Sequence, residues 1–421
     1  MEIGPYIKLH RIQQEMTQAE LAEGIVSYAY LSKIENQKTE ASPNVISLLC
    51  TRLGIQFADE TDETIKEKCQ EWYDMLFDTK DKAEIIKTYE ELNELIYESQ
   101  SDNLVMFEIH KIRYFLVIGE NDSALKQINK ITELSGTFDS LHQFYWYKFK
   151  GNYCSITGAF NQAMRMYKQA EEKLNHLDLS EDSTADIQYV IAVTHSKLHN
   201  TLEVIEYAEK AIDTFRKSYN FIRCAQCHSV LGISYRRIRM YDKSIKHHNL
   251  AKHLGELSNN AQIIQLTNHN LGYLHSSKGE RKKAIYYYNE VLNNKEVDLN
   301  TRLITVISLI KEYYNISEIE KTSEIIEKGF ELFESISDKS AYNIHFLALN
   351  AYDLVIRQEY EQYEKLVINE LIPFLQKQKD FANLAVYARM LGRHFEALKK
   401  YKESVKYYKL ANQTYDELIN L

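Results

Sequence analysis

The chain has 421 residues and carries 51 lysines and arginines against 60 acidic residues, a net charge of −9. That balance excludes a protein that coats nucleic acid through bulk positive charge, so any DNA contact has to be local. Glycine supplies only 13 residues and proline only 3 beside an apolar fraction of 44%, so the punctuation that sheets and hairpins need is nearly absent and an all-α chain is predicted. The start, "MEIGPYIKLHRIQQ", lacks the apolar centre of a signal peptide, and no run approaches the ~18 apolar residues of a membrane span. Five cysteines without regular spacing agree with a reducing compartment. A cytoplasmic protein with no membrane partner and no cofactor is expected.

Two short helices open the chain. Thr17 is placed to cap a helix carrying Leu21 and Ala22 on one face, with Glu20 at the capping-box position. Gly24 supplies a turn. Ser27 caps a second helix in which Leu31 and Ile34 face inward while Tyr28, Ala29, Ser32 and Lys33 face outward. Ile3, Ile7 and Ile12 before the pair, and Val45, Ile46, Leu49 and Leu53 after it, supply flanking helices, with Pro43 suited to a first turn.

The residues "MTQAELAEG" and "YLSKIENQK" resemble the Cro/λ-repressor type of helix-turn-helix. The resemblance implies that Gln18 and Asn36 touch phosphate at helix ends and that Ser27, Tyr28, Ala29 and Lys33 approach base edges of a double-stranded operator. Residues 1 to 57 hold five basic and six acidic side chains, so two copies on a two-fold site are expected. The alternative is a helical domain that binds protein and not DNA.

The remainder repeats. "GNYCSITGAFNQAMRMYKQA", "GYLHSSKGERKKAIYYYNEV" and "GRHFEALKKYKESVKYYKLA" share one shape, and the register places a small or apolar mid-unit residue at Ala124, Ala163, Val204, Ser244, Ala284, Ser323, Tyr363 and Ser404. Twelve residues earlier stand Gly151, Ala192, Gly232, Gly272, Ala351 and Gly392, small residues that let antiparallel helices approach closely. The pattern resembles the tetratricopeptide repeat, with a period near 40 instead of the usual ~34, and fits worst at Ser323 and Tyr363. The expected organisation is a helix-turn-helix domain over 1–58, a helical linker or atypical first repeat over 59–100 containing Trp72, Leu76 and Phe77, and over 101–421 about eight units coiled into a right-handed superhelix. The first helix of each pair lines the concave wall. On it the repeat geometry places Asn270, His269 and Tyr273, with Arg113, Lys148, Asn152, Tyr189, Ser229 and Arg236 on neighbouring units. Asparagine amides suit a peptide backbone, and cations suit a carboxylate; each is equally a solvated inner-face residue.

A helix-turn-helix followed by such an array resembles the peptide-responsive quorum-sensing regulators of Gram-positive bacteria, the Rap, Rgg, NprR, PlcR and PrgX group, over the whole chain. The resemblance implies a short, re-imported signalling peptide held in the groove, with Asn270 in "NHNLGYLH" on its backbone, and DNA binding and oligomeric state that respond to it. It also implies an alternative: Rap-like, peptide-inhibited capture of a response regulator of the sporulation phosphorelay. Tyr219 and Phe221 are expected to join subunits of a dimer or higher oligomer.

Three patterns are set aside. "CAQCH", Cys224 to His228, matches a haem-attachment pattern but falls inside a repeat helix, where buried small residues are expected. His195 and His199 are spaced for one helix face yet lack a third metal ligand. His247 and His248 stand where a repeat's second helix wants an aromatic ring. With no phosphate loop, nucleophile elbow or catalytic carboxylate pair, no enzyme is predicted.

Overall fold

The computed structural model describes residues 3–55, 62–77, 82–98, 103–294, 297–334, 336, 339 and 342–420. The expected domain boundaries after 58 and 100 fall outside these residues. Among those described, no strand occurs and no helix is long and apolar enough to cross a membrane. The chain separates into two compact units, residues 1–197 and 198–421.

Unit 1 begins with α1 (Ile3–Gln13), α2 (Gln18–Ala22), α3 (Tyr28–Glu35) and α4 (Pro43–Arg52). Thr17 and Glu20 form the capping box, Gly24 turns at φ 70°, and the Ser27 hydroxyl accepts from the Tyr30 N–H. Ile7, Leu21, Ala22, Leu31, Ile34, Leu49 and Leu53 make one small core. The opposite side of α1 serves a second core: Tyr6 and Leu9 pack with Trp72, Leu76, Phe107 and Leu134. These come from α5 (Asp62–Met75) and the turn after it, from α7 (Leu104–Ile118), and from the turn after α8 (Asn121–Thr132). Trp72 is fully buried between Tyr89 of α6 (Lys82–Glu98) and Phe107 and Tyr114 of α7. The helix-turn-helix is therefore docked on the first helices of the array by α1, as a continuous apolar surface.

Helix pairs follow. Unit 1 continues with α9 (Ser140–Ile156), α10 (Phe160–Leu174) and α11 (Glu181–Lys197). Unit 2 holds α12 (Thr201–Lys217), α13 (Phe221–Arg237) with α14 (Tyr241–Leu257), α15 (Ala261–Ser277) with α16 (Arg281–Leu292), and α17 (Leu299–Asn315) with α18 (Ile319–Glu334). It ends with α19 (Asn343–Ile356), α20 (Tyr360–Leu366) continued through a π turn into α21 (Ile372–Lys377), then α22 (Phe381–Ala397) and α23 (Tyr401–Asn420). The π turn ends two residues before Pro373, which has no N–H to close an ordinary helical bond.

The repeat period is written twice. First, a left-handed residue ends the first helix of each pair: Gly119, Gly158, His199, Arg239, Gly279, Ser317, Gln358 and Lys399, the conformation that lets a chain leave a helix and reverse. Second, where the small residue of a first helix is glycine, it receives a ring from the second. A Cβ at Gly151 would lie 2.5 Å from the Tyr167 ring, at Gly272 2.6 Å from Tyr288, and at Gly232 2.6 Å from His248. His248 is fully buried in the place that tyrosine takes in those units. The left-handed residue stands five before the mid-unit position, which corrects the register at one unit: Thr322, fully buried, takes the place expected for Ser323. Both are small and polar, so composition alone could not separate them.

Within unit 2, α13, α15, α17 and α19 touch in succession, while the second helices make no comparable contacts with one another. The first helices form the inner layer of that unit.

Candidate DNA-reading helix and repeat-face site

Helix α3 presents Tyr28, 67% exposed, with Ala29 and Lys33 also exposed. Behind it lies a buried ion pair. Arg11 Nε and Nη2 donate to the two oxygens of Glu35 at 2.7 and 2.9 Å, and Gln18 Nε2 donates to Glu35 Oε2 at 2.7 Å. One N–H of the Gln18 amide is thus spent on a carboxylate that would otherwise be buried with an open lone pair. The Asn36 amide is likewise engaged within the domain. Its Oδ1 accepts from Lys8 Nζ at 3.2 Å and its Nδ2 donates to the Ser32 carbonyl at 2.8 Å, closing the end of α3. Lys8 also donates to the Glu133 carbonyl at 2.6 Å, tying α3 to the region after α8.

Sequence reasoning missed where the cations go. Arg52 donates to the carbonyls of Leu21 and Glu23 and so caps α2. With Arg11 and Lys8 engaged as well, Lys33 and Lys38 are the basic side chains of this domain without a polar partner among the described residues. Net charge could not have shown this, because it counts engaged and open cations alike.

On the repeat wall of unit 2, Arg236 of α13 lies over the Tyr273 ring of α15, 4.3 Å from its centroid. Burial holds the Arg236 guanidinium below its ordinary value, partly offset by Tyr273. Tyr273 is 41% exposed. Asn270, one turn earlier on the same face of α15, is partly exposed and has no side-chain hydrogen bond among the described residues. His269 hydrogen-bonds through Nδ1 to Thr305 Oγ1 at 3.0 Å, and burial pushes it down to about 4, so it is a neutral imidazole at pH 7. Ser229 is buried and donates to the Ala225 carbonyl. It offers a ligand little.

The unit 1 residues fare differently. Lys148 is 4% exposed, paired with Asp186 at 2.7 Å and set 4.7 Å from the Phe77 ring centroid; it is a buried ion pair and not the open cation expected. Arg113 Nε donates to the Leu76 carbonyl at 3.3 Å, closing the end of α5. Asn152 accepts from the Tyr167 hydroxyl at 2.8 Å, which satisfies the tyrosine lying on Gly151. Tyr189 is partly exposed on α11. The structure therefore leaves Asn270 and Tyr273 open, with Arg236 stacked on Tyr273 and His269 held by Thr305 beside them, and commits Arg113, Lys148, Asn152 and Ser229 to internal bonds.

Tyr219, at φ 56° before α13, is 77% exposed and meets Phe221, 40% exposed, edge to face. Cys224 and Cys227 are buried in α13, and His228 Nδ1 lies 3.0 Å from His247 Nδ1. α11 ends at Lys197, so His199 lies beyond that helix in a left-handed turn and the two histidines share no helix face. Among the described residues no group of three metal-ligating side chains is assembled.

A capped helix with an open polar face, anchored by a buried ion pair and set on helix-pair repeats, defines a DNA-binding regulator of the repeat-array class. Three comparisons bear on it. A helix-turn-helix family matches residues 7–59. The transcriptional activator NprA of Geobacillus stearothermophilus is 31% identical over 407 residues, covering 95% of this chain and all of that protein. Two solved structures share the fold at lower identity. A Rap protein complexed with competence and sporulation factor has a TM-score of 0.70 at 19% identity, covering 85% of this chain and 99% of that one. NprR in complex with its cognate peptide NprX has a TM-score of 0.62 at 20% identity, covering 86% and 100%. The chain belongs to the NprA family of transcriptional regulators.

Proposed function

We propose that this regulator reads a double-stranded operator with Tyr28, Ala29 and Lys33, from a helix capped by Ser27, and that a short signalling peptide bound on the inner face of unit 2 sets its DNA affinity. The observation that carries the peptide reading is the open amide of Asn270 on the same face as the Arg236–Tyr273 stack. One amide both donates to and accepts from an extended backbone, while the cation takes a carboxylate. Two relatives of the same fold are solved with a signalling factor or peptide, which agrees with this use of the surface. The near-neutral charge of residues 1–57 calls for two copies on half-sites about one helical turn apart, and the exposed Tyr219 and Phe221 are the contact we assign to self-association. The reading places the protein in the cytoplasm and gives it no catalytic step. A peptide can shift the equilibrium only by its differential affinity for the two states.

The test is fluorescence anisotropy on duplex DNA from near the gene, at fixed salt, with and without the peptide fraction of spent culture medium. Tyr28→Ala with Lys33→Ala is expected to weaken DNA binding about 10- to 100-fold, in line with ~1–3 kcal/mol for a lost base contact. Asn270→Ala is expected to keep basal DNA binding and lose the response to the fraction. An unchanged response in Asn270→Ala would remove that residue from the site. The likeness to a Rap protein supports a second role, capture of a response regulator, which should survive the Tyr28 and Lys33 replacements.

A further inference from the structure

Tyr363 is an anomaly in the repeat. The mid-unit position takes Ala124, Ala163, Val204, Ser244, Ala284, Thr322 and Ser404 in the other units, all small enough to sit between packed helices. Here a tyrosine fills it, fully buried, and its hydroxyl has no hydrogen-bond partner among the described residues. Packing alone would be served by an apolar side chain, because a buried hydroxyl without a partner loses its water for nothing in return.

The residue lines a cavity of about 490 Å³ within unit 2, between the ends of α17 and α19, α20 and the inner face of α22. Lys311, Arg389 and Arg393 line it, and no carboxylate does. Arg389 and Arg393 are one turn apart on α22, a spacing at which like charges repel. None of the three cations has an ion-pair partner among the described residues. The carboxylates nearby are engaged elsewhere: Glu364 with His394 at 3.0 Å and Lys400 at 3.5 Å, Glu396 with the Tyr408 hydroxyl at 2.7 Å, and the buried Glu312 with Ser276 and Arg281. The rest of the wall is mostly aromatic and aliphatic, including Tyr352 and Met390, with Asn315 and His394 also on it.

We infer that this cavity binds an organic carboxylate carrying an apolar side chain, with its charge on Arg389, Arg393 and Lys311, the Tyr363 hydroxyl donating to it, and its apolar part against Tyr352 and Met390. A guanidinium fork suits a carboxylate in two-point contact. The volume falls in the range of small-molecule sites, ~300–1,000 Å³, and an inorganic anion would leave most of it unfilled. Two sources share this chemistry: the C-terminal residue of a peptide and a free carboxylic acid. The assignment uses none of the residues on which the peptide-gated reading rests and stands or falls apart from it.

The experiment uses the full chain, with saturation-transfer NMR and calorimetry on N-acetyl-leucine, N-acetyl-leucinamide and inorganic phosphate. N-acetyl-leucine should bind, and the amide at least tenfold more weakly. Arg389→Gln with Arg393→Gln should lose at least tenfold in affinity for the acid. Tyr363→Phe, which keeps the ring and so the packing, should lose several-fold with an unchanged far-UV spectrum. Equal binding of acid and amide, wild-type affinity in the double variant, no binding of the acid at all, or phosphate binding as tightly as the acid would each overturn the assignment. If the active peptide fraction displaces N-acetyl-leucine, the site takes a peptide end; if both bind together, it takes a free acid. DNA binding enters none of these readouts, so loss of the regulator reading would not be mistaken for loss of this site.

Discussion

Replacing Arg11 by methionine is expected to destabilise the helix-turn-helix by about 3–5 kcal/mol, the cost of leaving one partner of a buried ion pair behind. Glu35 is fully buried and is held by both donors of the Arg11 fork and by Gln18. Arg11 further donates to the Met16 carbonyl at 2.8 Å, so its loss also loosens the turn into α2. Denaturant unfolding, with limited proteolysis of the N-terminal segment as a local probe, measures the effect. Adding Glu35→Leu should return much of the loss, since replacing both members of such a pair by apolar residues is often near neutral. A cost below about 1 kcal/mol for Arg11→Met would show that the pair is not what holds α1 to α3. DNA affinity should fall with stability, because α3 is positioned through Glu35 and not through its exposed residues.

Acid should unfold both units well before the bulk of the carboxylates titrate. His10 and His110 in unit 1, and His248 in unit 2, are 6%, 1% and 0% exposed, and burial pushes them down to about 4, about 3 and about 3. Each is neutral in the folded chain and titrates near 6.5 when unfolded. Above that value these histidines take nothing from stability. As the pH falls from 6.5 toward 4, the unfolded chain binds protons that the folded chain refuses, and each histidine comes to cost about 1.4 kcal/mol per pH unit. Burial also pushes His228 and His269 of unit 2 down to about 4, so unit 2, with three such histidines against two in unit 1, loses more per pH unit, against a typical total of ~5–15 kcal/mol. Denaturant titrations at pH 7, 6 and 5 test the slope. His248→Phe, which keeps a ring on Gly232 as Tyr288 lies on Gly272, should remove one proton's worth of slope from unit 2 alone. An unchanged slope in that variant would assign the acid sensitivity elsewhere.

What the sequence made legible is local chemistry. The capping box of Thr17 and Glu20, the turn at Gly24, the cap at Ser27 and the outward set Tyr28, Ala29 and Lys33 lie within seventeen residues, and helical geometry alone fixes their relations. The repeats were legible for the same kind of reason: a glycine of one helix must receive a ring of the next, and that demand recurs at a fixed spacing. The exception, Thr322 for Ser323, came where two small residues adjoin and only the left-handed turn at Ser317 decides between them.

What only the tertiary structure decided is which polar side chains remain open. Gln18 meets a carboxylate 17 residues away, Asn36 a lysine 28 away, and that lysine a carbonyl 125 away; Lys148 meets Asp186 under aromatic rings. A sequence displays the donors and acceptors of every residue but not their partners, and a buried polar group takes whatever partner the fold brings within about 3 Å. The fold class and the reading helix were therefore fixed by near neighbours along the chain. Which polar residues of the repeat helices stay open, as Asn270 and Tyr273 do, and which are closed, as Lys148 and Ser229 are, was fixed by neighbours in space.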